Sequence, residues 1–143
     1  MIKLIIPGRP ISKSNFKLKN IHGKTWMPST GKHSKYLAYE NMIAGYINTQ
    51  YQGDIIEEDL ITIIRLYFPN KKMGDLHNYP KSICDGIEKS GIIKNDKQLK
   101  PVLLFDFIDK ENPRVEIELY KKSEYDVNYT IKKRVNDEIP QNR

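Results

Sequence analysis

The segment Asp75-Leu76-His77-Asn78-Tyr79-Pro80-Lys81 puts two potential metal ligands, an amide and a lysine into one short stretch. In extended chain, residues two apart point to the same side, so Asp75 and His77 could face one point in space. Lys81 falls three residues beyond Asn78, where a helix is expected to begin, and Asp85 lies one turn further on. After that helix comes Ile92-Ile93-Lys94-Asn95-Asp96. Such a set suits phosphodiester hydrolysis. That reaction needs a hydroxide, an offset for the extra negative charge of the transition state and a stabilised leaving oxygen, and carboxylate-held divalent ions can supply all three. Magnesium takes oxygen ligands and keeps several waters, so two or three acidic side chains suffice. A lysine can stabilise charge on the transferring phosphate. Asp75, Asp96 and Lys81 make an adequate set, with His77 as a further ligand.

Each of these residues also has an ordinary structural explanation. An aspartate at a strand end is commonly a turn residue or helix cap, and a histidine before a helix is commonly a surface residue. Lys81 and Asp85, at i and i+4, form a helix-surface pair worth a few tenths of a kcal/mol. Other nuclease chemistries find less support. A restriction-type site needs an acid, one spacer and a lysine, and no Asp or Glu in this chain has Lys two positions later. The histidines, His22, His33 and His77, are too scattered for an HNH-type site.

Hydrophobic periodicity and breakers place these residues on elements. Ile2 to Ile6 reads as a strand, and Lys17 to Met27 as a hairpin with Gly23 near its tip. Ser34 to Thr49 reads as a helix with a loose apolar stripe of Leu37, Met42, Ala44 and Tyr46. Leu60 to Phe68, rich in Ile and aromatic residues, is a strand. Asn78 to Ser90 is a helix with Asn78 as N-cap, Pro80 in the first turn and Gly91 as its stop. Its residues Tyr79, Ile83 and Ile87 mark a buried face. Leu99 to Ile108 and Arg114 to Tyr120 are the last strands, joined by a turn around Lys110 to Pro113. The order predicts an α+β fold, a single domain with a mixed β-sheet and two main helices packed on it. The domain is expected over 1–122, with 123–143 as a polar, fraying tail.

The 143 residues suit one domain with a real core and carry a formal net charge of +6, with a pI near 9.3. The excess is uneven. Met1 to Tyr39 contains no Asp or Glu but carries eight Lys and Arg residues, from Lys3 to Lys35. This stretch is either a solvated basic arm or a phosphate-contacting surface. On the second reading Lys13, Asn15, Lys17 and Lys19 contact DNA, aided by Phe16 and Trp26. The single cysteine, Cys84, excludes an intramolecular disulfide and a cysteine-based zinc site, and reads as a packing residue. Ile2 to Ile6 is too short for a signal core, and no stretch approaches a membrane-spanning length. A soluble cytoplasmic protein without a membrane partner is the expectation.

Taken together, the string DLHNYPKSICDGIEKSGIIKNDKQL resembles the signature of the RusA family of Holliday junction resolvases. That signature runs close to D-x-D-N-x-x-K, then x3-D, a Gly, and D-D-x-Q-V. Asp75, Asn78, Lys81, Asp85, Gly91, Asp96 and Gln98 match without insertion, over about 25 residues. The opening LIIPGRPISKSN is similar to the family's first strand and following loop. The resemblance implies a small homodimer that binds four-way DNA junctions. It would nick two strands of like polarity symmetrically, using magnesium or manganese. It makes Asp75 and Asp96 metal ligands and Lys81 the catalytic or phosphate-positioning lysine, with Asn78 and Asp85 supporting. His77 stands where the family usually has a second Asp, and Asn95 where an Asp often precedes the last ligand. Histidine suits magnesium less and manganese more. Lys71 and Lys72 stand near the place of the basic residues that relatives carry before the first Asp. A second hypothesis, motivated by the His77 and Asn95 substitutions, keeps the fold and junction binding and drops catalysis. A plain RNA- or ribosome-binding protein is a further reading that the basic N-terminal stretch permits, although no RRM or KH signature is visible.

Overall fold

A computed structural model describes residues 1–12, 19–21, 24–26 and 35–135. The elements are β1 (Ile2–Pro7), β2 (Lys19–Ile21), β3 (Lys24–Trp26), α1 (Lys35–Gln50), β4 (Leu60–Phe68), α2 (Tyr79–Ser90), β5 (Leu99–Ile108) and β6 (Arg114–Lys121). Two short 3₁₀ turns, Leu76–Asn78 and Asp96–Gln98, flank α2 on either side. The expected order of strands and helices is therefore present, and the 3₁₀ turns are additions to it.

The main sheet runs β1-β6-β4-β5. β6 pairs antiparallel with both β1 and β4, whereas β4 and β5 are parallel. A parallel pair needs a crossover, and α2 supplies it. β2 and β3 form a separate antiparallel ribbon, with Asn20 opposite Thr25. The fold is α+β with a mixed sheet and two helices.

Alternation in the strands decides which face is covered. Leu4 and Ile6 of β1, Ile64, Leu66 and Phe68 of β4, and Val115, Ile117 and Leu119 of β6 are buried together beneath the helices. α2 buries Tyr79, Ile83 and Ile87, the face expected from their spacing. α1 differs. It buries Tyr39, Ile43, Ala44 and Ile47, while Met42 and Tyr46 are exposed. The stripe read from the sequence is thus rotated. Tyr39, Ile43 and Ile47 recur every four residues, and the scattered Met42 and Tyr46 masked that spacing.

The two helices meet at Gly86. A Cβ there would lie 2.6 Å from Ile43 Cγ2 and 2.8 Å from Ile43 Cβ. Ile43 is fully buried and has no room to retreat. Gly86→Ala gains up to about 1 kcal/mol of helix propensity but overpacks a dense contact, at a cost of about 1–3 kcal/mol. The expected result is a net loss of stability, read as a lower urea midpoint at unchanged slope. A raised midpoint would show that α1 can shift away.

Candidate active site

α2 begins where the chain leaves the covered sheet. The loop after β4 is tied down twice before it reaches Asp75. The Tyr79 hydroxyl donates to the Met73 carbonyl, and the Arg9 guanidinium donates to the Lys72 carbonyl. Ser82 Oγ lies 2.8 Å from the Ile11 carbonyl, which ties the segment after β1 to the same helix.

Asn78 occupies the N-cap position but makes no side-chain capping hydrogen bond. The 3₁₀ turn at Leu76–Asn78 runs straight into α2, so the first free N–H groups lie further upstream. Asp75 takes one of them. Its Oδ1 accepts from the His77 N–H at 3.0 Å and lies 2.9 Å from His77 Nδ1. Both contacts favour the carboxylate form, and the Asp75 carboxyl is held below its ordinary range, chiefly by the His77 side chain. The pair is open to solvent, with side-chain exposures of 60% for Asp75 and 96% for His77.

A second grouping lies along α2. Lys81, Asp85 and Glu88 follow one another at four and three residues and so share a helix face. Lys81 Nζ is 2.9 Å from Asp85 Oδ1 and 3.5 Å from Asp96 Oδ2. The Asp96 N–H donates to Glu88 Oε1 at 3.2 Å, which ties the second 3₁₀ turn to the helix. Carboxylate oxygens of Asp85, Glu88 and Asp96 all lie within 4.8 Å of one another. Lys81 is shifted upward, first by its bond to Asp85 and also by Asp96, so it stays protonated through the neutral range.

The structure therefore brings together Lys81, Asp85 and Asp96. Among the described residues, Asp75 and His77 are paired with each other and do not belong to that carboxylate group. Glu88 was not singled out from the sequence. Its signal was the i, i+4, i+7 spacing of Lys81, Asp85 and Glu88. Lys71 and Lys72 are exposed on the loop that leads to Asp75. Lys13, Asn15 and Lys17 lie outside the described residues, and Lys19 is described only as backbone of β2.

Three carboxylates against one ammonium leave this cluster with excess negative charge. Oxygen donors at such spacing fit a hard divalent cation, and they exclude a soft, sulfur-bound one. Cys84, partly buried on α2, is poorly set up as a nucleophile. Burial raises its thiol to about 12, and the charges of Asp96 and Asp85 push the same way. Ellman's reagent at mildly alkaline pH should therefore label Cys84 only after the protein is denatured. Prompt labelling of the native protein would contradict the burial.

Residues 7–120 match the family model described as "Endodeoxyribonuclease RusA". The chain belongs to this family. One relative, from Aquifex aeolicus (strain VF5), is named "Crossover junction endodeoxyribonuclease RusA". It is 30% identical over 118 residues, which cover 82% of this chain and 90% of the relative. The match to the RusA family spans both helices, β4, β5, β6 up to Tyr120 and every residue of the carboxylate group, and takes in only Pro7 of β1.

Proposed function

We propose that this RusA-family chain is a metal-dependent endonuclease that resolves four-way DNA junctions by paired symmetric nicks, acting as a homodimer. The observation that carries the reading is the gathering of Lys81, Asp85 and Asp96, all motif positions, within one contact network. The name of the Aquifex relative supplies the substrate class.

Asp96 is the proposed central metal ligand. Asp85 and Glu88 are carboxylates the fold already holds beside it, and Asp75 and His77 are further proposed ligands at the head of α2. When bound, a magnesium or manganese ion would activate a water and offset charge on the scissile phosphate. Lys81 holds its proton near that phosphate and stabilises the charge that builds on it. Asp85 fixes the lysine, and Asn78, at the head of α2, is proposed as a supporting residue. Lys71 and Lys72, with Lys13, Asn15, Lys17 and Lys19, are proposed to contact the DNA backbone, a term that weakens with salt. No described helix is long and apolar enough to cross a membrane.

The test is cleavage of a labelled four-way junction beside linear duplex and single strands, with magnesium and with manganese. Paired nicks confined to the junction support the reading. Junctions left intact with either ion defeat it. Intact junctions that are nevertheless bound, with steep salt dependence, would instead support the non-catalytic reading, which the His77–Asp75 pair favours because it occupies an Asp75 oxygen.

A further inference from the structure

The segment that follows β1 and the loop that leads to Asp75 hold each other in place. Gly8 turns at φ 95°, and its N–H donates to the Pro113 carbonyl at 3.0 Å. Pro10 is buried. Arg9 is therefore presented from backbone that is fixed on either side of it, and its guanidinium reaches across to donate to the Lys72 carbonyl. The loop it meets is equally set. Asn70 Oδ1 accepts from the Lys72 N–H at 2.9 Å, and the Met73 N–H donates to the Lys71 carbonyl at 3.0 Å. Three exposed cations, Arg9, Lys71 and Lys72, thus lie on two joined segments just ahead of Asp75.

Their charge is uncommitted. On the sheet, Arg65 lies 3.0 Å from a Glu118 carboxylate oxygen and Arg114 lies 2.9 Å from one of Asp109. Among the described residues, Arg9, Lys71 and Lys72 form no ion pair, and the Lys72 carbonyl is the one hydrogen-bond partner of the Arg9 guanidinium. Asp75, the nearest acid along the chain, is taken by His77. Met1 to Tyr39 has no acid to offer. A carbonyl orients a guanidinium without neutralising it, and it uses only part of a fork of five N–H donors.

We propose that Arg9 binds a backbone phosphate of the DNA, preset for it by the Lys72 carbonyl and assisted by Lys71 and Lys72. The inference rests on the nuclease reading, because Asp75, three residues beyond Lys72, is one of the proposed ligands of that site. The planar fork of arginine meets two phosphate oxygens at once, which the point charge of a lysine does not. A side chain already held in place gives up less freedom when it binds, so the bond to Lys72 favours affinity even though it adds no charge. An acidic peptide would meet the same cations. DNA is favoured because the neighbouring group of Lys81, Asp85 and Asp96 is suited to a phosphodiester.

Binding of a labelled four-way junction is measured against salt, with calcium in place of the catalytic ion. Arg9→Ala should weaken binding about tenfold and lower the slope of log affinity on log salt by about 0.9, the value of one phosphate contact. In protein that already carries Lys71→Ala and Lys72→Ala, the same change should lower the slope by about 0.9 again. A slope that no longer changes there means that Arg9 only holds the loop, and overturns the proposal. So does an equal drop for Lys122→Ala, which removes one charge beyond the far end of β6, since a general field then accounts for both. Should Arg9→Ala fail to fold, Arg9→Lys decides. It should keep the slope and bind more weakly than the wild type, and binding equal to the wild type overturns the proposal. Cleavage is scored separately with magnesium and manganese. Junctions bound through Arg9 but never cut defeat the resolvase reading and leave this assignment standing, and junctions cut by a protein whose salt slope ignores Arg9 do the reverse.

Discussion

Asp96→Asn is expected to slow junction cleavage by roughly a thousandfold, the upper range for removing one group that stabilises transition-state charge, while junction binding persists. The amide keeps the size of the carboxylate. It also leaves the backbone N–H that donates to Glu88, so the second 3₁₀ turn should hold its place. What is lost is a negative oxygen that lies within 4.8 Å of two other carboxylates and 3.5 Å from Lys81. With one fewer anion in the cluster, the affinity for a divalent ion falls, and the nearby DNA phosphate meets less repulsion. Binding should therefore be equal or tighter as cleavage drops. Single-turnover kinetics on a labelled junction, with binding measured in calcium, separate the two effects. A loss below about tenfold, against the thousandfold expected, would place the metal elsewhere. Asp75→Asn is the natural comparison, because Asp75 is the other ligand the motif implies and it stands outside the gathered group.

The sequence and the structure agree where one physical cue acts alone. α2 was legible because Tyr79, Ile83 and Ile87 recur at helix spacing, Pro80 sits in the first turn and Gly91 ends the helix at φ 82°. β4 was legible because six of its nine side chains are β-branched or aromatic. α1 was placed correctly along the chain but rotated about its axis. Its buried stripe includes Glu40, and its exposed side includes Met42 and Tyr46, so polarity alone misreports its orientation.

The site was legible in part for a similar reason. Motif spacing picked out Lys81, Asp85 and Asp96, and helix geometry joins the first two. The approach of Asp96 depends on how the chain returns from Gly91 to β5, which no local pattern specifies. Glu88 was missed because it matches no motif position and reads as a routine helix-surface acid. Asn78 was expected to cap α2, but the preceding 3₁₀ turn moves the free N–H groups upstream, and Asp75 receives one. The motif aspartate therefore has a structural task whether or not it binds metal. That is why its substitution must be read in stability as well as in rate.

Gln98→Ala should be strongly damaging although it removes no carboxylate and no core hydrophobe. Gln98 is a motif residue with no charge and no chemistry of its own, and it is buried. Its Oε1 accepts from the Lys94 and Asn95 N–H groups at 2.8 and 3.0 Å. Its Nε2 donates to the Ile56 and Glu58 carbonyls at 2.8 and 3.0 Å. One amide thus fastens the turn that carries Asp96 to the chain entering β4, and the reciprocal bond between the Asn95 side chain and the Lys97 N–H closes the turn on itself. Alanine leaves four main-chain groups short of a partner. At about 1 kcal/mol for each hydrogen bond lost, more where water cannot enter, the expected loss is about 3–4 kcal/mol, seen in urea unfolding. Gln98→Glu is the sharper probe. The carboxylate preserves both acceptor contacts but cannot donate, so it faces two carbonyl oxygens with negative charge. It should be nearly as unstable as alanine at neutral pH and should recover as acid protonates it, a pH dependence that loss of packing alone would not produce. Cleavage should fall further than the unfolded fraction accounts for, because Asp96 loses its fixed distance to Lys81. If activity instead tracks only the amount of folded protein, then the position of Asp96 is set by Glu88 and α2 rather than by the Gln98 clamp.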